Sequence, residues 1–202
     1  MLKIGITGNI GGGKTTVSKL FEILGVPVFY ADDAAKKVMT ADPVLISRLK
    51  DAFGPETYFE DGSLNRKYIA NIVFNNDEQL EKLNALVHPA VFRAFDEWAS
   101  QIRDKPYVIK EAALLFESSS YKMCDYSIMV TAPLELRIER VMKRDKLTRA
   151  EVESRNSRQF SEEKKTKLAD FVVRNDDTEL VIPQVLKLHE KFLSLVNDHQ
   201  AL

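Results

Sequence analysis

The chain has 202 residues, with 29 Lys+Arg against 30 Asp+Glu, a net charge of −1 and 45% hydrophobic residues. That balance excludes a uniformly basic nucleic-acid protein, and a chain of this length buries an apolar core without crosslinks. The one cysteine, Cys124, excludes an internal disulfide framework and a multi-cysteine zinc site, and suits a reducing cytoplasm.

Residues 2–7, LKIGIT, form a short apolar run that predicts a buried strand. The run is too brief and too glycine-bounded for a signal peptide, and no segment approaches the roughly 20 apolar residues that cross a bilayer. Next comes Gly8-Asn9-Ile10-Gly11-Gly12-Gly13-Lys14-Thr15, which fits G-x-x-x-x-G-K-[ST] without a mismatch. Glycines let consecutive amide N–H groups converge on phosphate oxygens, and the helix that follows aims its positive end at the same anion. Lys14 then reaches the β- and γ-phosphates, while the Thr15 hydroxyl takes one position on Mg²⁺. Gly8 through Thr15, with Thr16 beside them, are the candidate ATP-binding residues.

Val17, Leu20, Phe21 and Leu24 predict a helix over 15–24, closed by Gly25. A second strand is expected over 26–31, VPVFYA. Ligands of open α/β sheets sit outside the carboxyl ends of strands, so Asp32 and Asp33 fall at the rim of the phosphate site. Asp32 is the candidate base for an acceptor hydroxyl, and Asp33 the candidate N-cap of the next helix.

Apolar spacing predicts helices over 43–53, 66–74, 77–87 and 89–102, with His88 at a boundary before Pro89. Two more strands are expected over 107–110 and 126–130. Glu111, ending the first of these, either reaches Mg²⁺ through water or makes a local hydrogen bond. Residues 134–168 hold 11 Lys+Arg against 7 Asp+Glu, and read as helices that are either a solvated face or a cover over a polyanion. A fifth strand over 171–173 and a helix from 179 to about 196 complete the pattern. Strands alternating with helices argue for a parallel, doubly wound sheet of the P-loop type, with about five strands. The stretch between the second and third strands is too long for a crossover and reads as a helical insertion. Asp51-Ala52-Phe53-Gly54 spells D-x-x-G at the end of a helix, and no [NT]-K-x-D is present, so a GTPase is disfavoured. Cys124 and Trp98 read as packing residues, and His189 and His199 have no evident role.

The order and spacing of several pieces resemble the dephospho-coenzyme A kinases of the P-loop nucleotide-kinase group. These pieces are residues 6–17, Ala31-Asp32, Leu83-Asn84, His88-Pro89 and Leu114-Leu115-Phe116-Glu117. Arg140, Arg144, Leu147-Thr148, Gln159, Ala169-Asp170 and Asn175 complete the set. Tyr30 stands where the family usually has Asp, Ala113 where it has Pro, and Gly12 where Ser is common. The resemblance implies a core of 1–32, 105–136 and 168–202, an acceptor-binding insertion of 33–104 and a lid of 137–167. It implies that Asp32 is the base, that Arg140 and Arg144 close over ATP, and that Asn175 neighbours adenine. Arg66, His88, Glu111 and Leu115 would join Asp32 in holding the acceptor. The implied reaction moves the γ-phosphoryl of ATP, with Mg²⁺, to the ribose 3′-hydroxyl of dephospho-coenzyme A, in a cytoplasmic monomer or small homo-oligomer without nucleic-acid or membrane partners. A nucleoside or nucleoside-monophosphate kinase, or a P-loop ATPase acting as a switch or assembly factor, is the alternative.

Overall fold

A computed structural model describes residues 1–74 and 76–200, without the side chains of 198–200, so the His199 side chain lies outside the described residues. In chain order the strands are β1 (Leu2–Thr7), β2 (Val28–Tyr30), β3 (Tyr107–Glu111), β4 (Tyr126–Thr131) and β5 (Phe171–Arg174). The helices are α1 (Lys14–Ile23), α2 (Ala31–Ala41), α3 (Pro43–Phe53), α4 (Arg66–Val73), α5 (Asp77–Gln101), α6 (Leu134–Asp145), α7 (Arg149–Ser157), α8 (Glu162–Leu168) and α9 (Val181–Gln200). The chain divides into two units, one of Met1–Tyr30 with Ile102–Leu202 and one of Ala31–Gln101.

The first unit is built on a parallel sheet in the order β2-β3-β1-β4-β5. Ile4 and Ile6 of β1, Tyr107 and Ile109 of β3, and Ile128 and Val130 of β4 alternate onto one face. There they bury against Val17 and Phe21 of α1 and Val185 and Phe192 of α9. Each such side chain contributes about 1.5–3 kcal/mol by leaving water. β1 connects towards β2 while β4 connects towards β5, so the connections diverge between β1 and β4. Right-handed crossovers open a crevice at such a point, and the phosphate loop leaves β1 there. β2 is shorter than expected because Pro27 has no N–H to give the ladder and the chain is helical from Ala31. β5 runs one residue further than expected, to Arg174. α9 starts at Val181, two residues after the expected 179, with Pro183 in a first turn that needs no donor there.

In the second unit α2, α3 and α4 pack with α5. Asp42 caps α3, its Oδ1 accepting from Val44 N and Leu45 N at 3.0 and 3.1 Å. Asn65 caps α4. Two expectations are corrected here. Asp33 is no N-cap: α2 begins at Ala31, and Asp33 lies in its first turn, paired at 2.7 Å with Lys36. Nor does His88 mark a helix boundary, because α5 runs unbroken from Asp77 to Gln101 with Pro89 inside it. The literal D-x-x-G ends at Gly54, which terminates α3 at φ 96°, so it is a helix stop. Among the described residues no helix is long and apolar enough to cross a membrane.

Candidate active site

The phosphate loop leaves β1 at Gly8 and enters α1 at Lys14. Gly11 and Gly13 have φ of 79° and 95°, where side-chain-bearing residues are strained. Space forbids a side chain as well. A β-carbon on Gly11 would stand 2.4 Å from the Arg137 carbonyl of α6, and one on Gly13 2.0 Å from Asn175 Nδ2. Gly12 N donates to Asn9 O at 2.9 Å, closing the turn. Lys14 Nζ donates to Gly8 O at 3.1 Å, so the ammonium lies folded onto its own loop.

Glu111 ends β3 in register with Ile6 of β1 and Tyr30 of β2, and is buried. The Thr15 hydroxyl donates to its Oε2 at 3.4 Å. Two hard oxygen donors at the loop's end fit Mg²⁺ better than a soft metal. Among the described residues no group of three or more His, Cys, Asp or Glu side chains is placed to hold a metal ion.

On the other flank Asn175, past β5, donates from Nδ2 to Gly12 O at 3.0 Å, and its N–H donates to Thr131 O at 2.9 Å. Arg140 Nη1 donates to Asn175 O at 2.8 Å, and Nη2 pairs with Asp177 at 3.0 Å. Arg144, one turn on, is two-thirds exposed and pairs with Asp145 at 2.7 Å, which raises the guanidinium pKa and lowers that of the carboxyl. Gly11, Gly13, Lys14, Thr15, Arg140, Arg144 and Asn175 line one cavity of about 320 Å³, with Thr16 and Val141 beside them.

The structure thus brings Gly11, Gly13, Lys14, Thr15, Arg140, Arg144 and Asn175 to one cavity, with Glu111 beside Thr15. Asp32, Arg66 and His88 belong to the second unit. Asp32 is exposed in the first turn of α2, Arg66 is exposed at the start of α4, and His88 stacks on Phe92 within α5 at 6.2 Å between ring centroids. Leu115 is fully buried, and a β-carbon on Gly5 of β1 would stand 2.7 Å from its Cδ2. Its side chain is therefore core, and an acceptor contact from this residue would have to come from its backbone.

Sequence reasoning passed over two cations. Arg137 is buried, donates from Nε to Ala132 O at 2.9 Å and from Nη1 to Ile10 O at 3.3 Å, and pairs with Glu162 at 3.2 Å. Burial lowers its pKa and Glu162 opposes that. Lys165 of α8 is fully buried, donates to Ala113 O at 2.8 Å and pairs with Glu117 at 2.9 Å. The basic stretch is therefore neither a uniformly solvated face nor a uniform cover, because two of its cations point inwards. Arg149 is spent on Glu135 and Glu153, and Lys167 on Glu163.

A family model described as dephospho-CoA kinase matches residues 2–180. The chain belongs to the dephospho-CoA kinase family. A dephospho-CoA kinase of Bacteroides fragilis is 40% identical over 187 residues, covering 93% of this chain and 91% of the relative. Among solved structures, a protein of Thermus thermophilus is 38% identical with a TM-score of 0.83, covering 94% of this chain and 96% of its own. A dephospho-CoA kinase from Campylobacter jejuni is 26% identical with a TM-score of 0.69, covering 95% and 97%.

Proposed function

We infer that the protein transfers the γ-phosphoryl group of ATP to the ribose 3′-hydroxyl of dephospho-coenzyme A, giving coenzyme A and ADP. One observation carries this reading. In a chain of this family, Lys14, Thr15, Arg140, Arg144 and Asn175 converge on a single cavity at the carboxyl ends of parallel strands.

Backbone N–H groups of Gly11 to Thr15 and the start of α1 hold the β-phosphate. Lys14 exchanges the Gly8 carbonyl for phosphate oxygens, and Arg140 and Arg144 spread the charge of the transferred group. Thr15 and Glu111 would hold Mg²⁺, which when bound neutralises charge on the phosphate oxygens. Asp32, two residues beyond the end of β2, accepts the acceptor's hydroxyl proton as oxygen attacks phosphorus and the bond to ADP breaks. Arg66 and His88 contact the acceptor from the helical unit. The helices after β4 exclude water, since an open site would spend ATP on hydrolysis. Both substrates are soluble, and the reaction belongs in the cytoplasm.

An acceptor-dependent ADP-release assay tests the reading. Turnover is expected with dephospho-coenzyme A, whereas turnover only with a nucleoside monophosphate would replace it with the alternative kinase. Asp32→Asn should lower transfer by about 10²–10⁴-fold while ATP affinity stays near wild type. Full activity in that variant would remove the base.

A further inference from the structure

The buried pair of Lys165 and Glu117 takes no part in the chemistry above, yet it connects to the phosphate loop on both sides. Lys165 Nζ donates to Ala113 O at 2.8 Å, and the Thr7 hydroxyl donates to the same carbonyl at 3.3 Å. Glu117 Oε1 accepts from Lys165 at 2.9 Å and from Phe160 N at 2.8 Å. Phe160 O in turn accepts from Asn9 Nδ2 at 3.0 Å. Thr7, Ala113, Lys165, Glu117, Phe160 and Asn9 thus form a hydrogen-bonded ring whose two ends flank Gly8. The carbonyl of Gly8 is the one on which Lys14 rests. Asn9 is 1% exposed and its Oδ1 has no partner, so the Phe160 peptide is what orients its side chain. Next to it, Ile10 N donates to Gln159 Oε1 at 2.9 Å, so residues 159 and 160 together grip the first turn of the loop.

We propose that Glu117, anchored by Lys165, is a positioning residue for the phosphate loop: it fixes the Phe160 peptide, and that peptide fixes Asn9 and the Gly8 carbonyl beside it. The physical case rests on what an ion pair in this place does poorly and does well. Burying two charges costs desolvation, and apolar residues of similar size often replace such a pair without loss of stability. Lys165 is fully buried, and the second oxygen of Glu117 is buried without a partner, an arrangement that a purely stabilising contact would not retain. An apolar pair cannot accept the Phe160 N–H. Direction is therefore what the carboxylate supplies, and the direction ends in the loop that holds phosphate. Desolvation lowers the Lys165 pKa, and the hydrogen bond and charge of Glu117 oppose that.

The inference rests on the loop being the ATP site, and direct ATP titration tests it separately from acceptor identity. The double variant Glu117→Met with Lys165→Met should keep its thermal midpoint and weaken ATP binding about tenfold or more. The KM for dephospho-coenzyme A should stay within about twofold of wild type. Glu117→Gln keeps an acceptor for Phe160 N–H and should restore ATP affinity to within about threefold of wild type. Wild-type ATP affinity in the double variant overturns the proposal, as does an equal rise in the KM of both substrates. Failure of the double variant to fold overturns it too, since the pair would then be needed for folding. A wild-type protein that binds ATP without phosphorylating dephospho-coenzyme A would instead count against the assigned reaction and leave the ring to be judged by ATP affinity.

Discussion

At the scale of single residues, the phosphate loop is governed by two kinds of exclusion acting together. Gly13 needs a positive φ and also lies against the amide of Asn175, so backbone and neighbour both reject a side chain. Gly13→Ala should destabilise the fold by about 1–3 kcal/mol, seen as a lower thermal midpoint, and should weaken ATP binding in a direct titration. A variant with an unchanged midpoint would mean that Asn175 moves aside without cost. The glycines and Lys14 are legible in the sequence because phosphate chemistry demands those types at that spacing. Lys165 is not legible. In the run Glu162-Glu163-Lys164-Lys165-Thr166-Lys167 every charged residue looks solvated, and only the packing of α8 against β4 turns one of them inwards. Arg137 is hidden for a similar reason: it lies one turn before Arg140, and the sequence does not say that it faces the loop backbone.

At the scale of elements, local signals mark most helix ends, and the errors come where tertiary packing overrides them. Thr148 begins α7 with a capping box: its side chain accepts from Glu151 N while Glu151 Oε2 accepts from Thr148 N at 2.7 Å. Thr148→Ala should cost about 1 kcal/mol in a urea titration, with Thr148→Asp restoring most of it. Asp33 looks like a cap in sequence because Asp is favoured there. It instead sits with Asp32 inside the first turn of α2, where negative charge also suits the helix dipole. The strands were legible as apolar runs. The order of β2 and β3 beside β1 was not, since pairing between distant segments leaves no local trace.

At the scale of the whole molecule, near-neutral charge conceals many local pairings that depend on ionised carboxylates. Asp42 is held below its ordinary value of 3.8 first by the Leu45 N–H and then by Arg93, and Glu151 is lowered by the Thr148 backbone and hydroxyl. Arg149 lowers Glu135, and Thr178 lowers Asp176. A depressed carboxyl binds its proton in the unfolded chain at a higher pH than in the folded one. Its stabilisation is therefore complete above the ordinary carboxyl range and is lost as pH falls through it. Urea midpoints should be flat near neutrality and fall below about pH 4.5. Asp42→Asn keeps the cap without the charge, so its deficit against wild type should shrink as the acid limb is descended. A constant deficit would exclude Asp42 from that titration.

Pro89 has a mechanical consequence. An α-helix of 25 residues is a stiff rod held by bonds from each N–H to the carbonyl four residues back. Proline has no N–H, so within α5 Pro89 cannot donate to the Ala85 carbonyl four residues back. The rod keeps its path but loses one tie. Its bending compliance is concentrated in the turn around Pro89, next to His88.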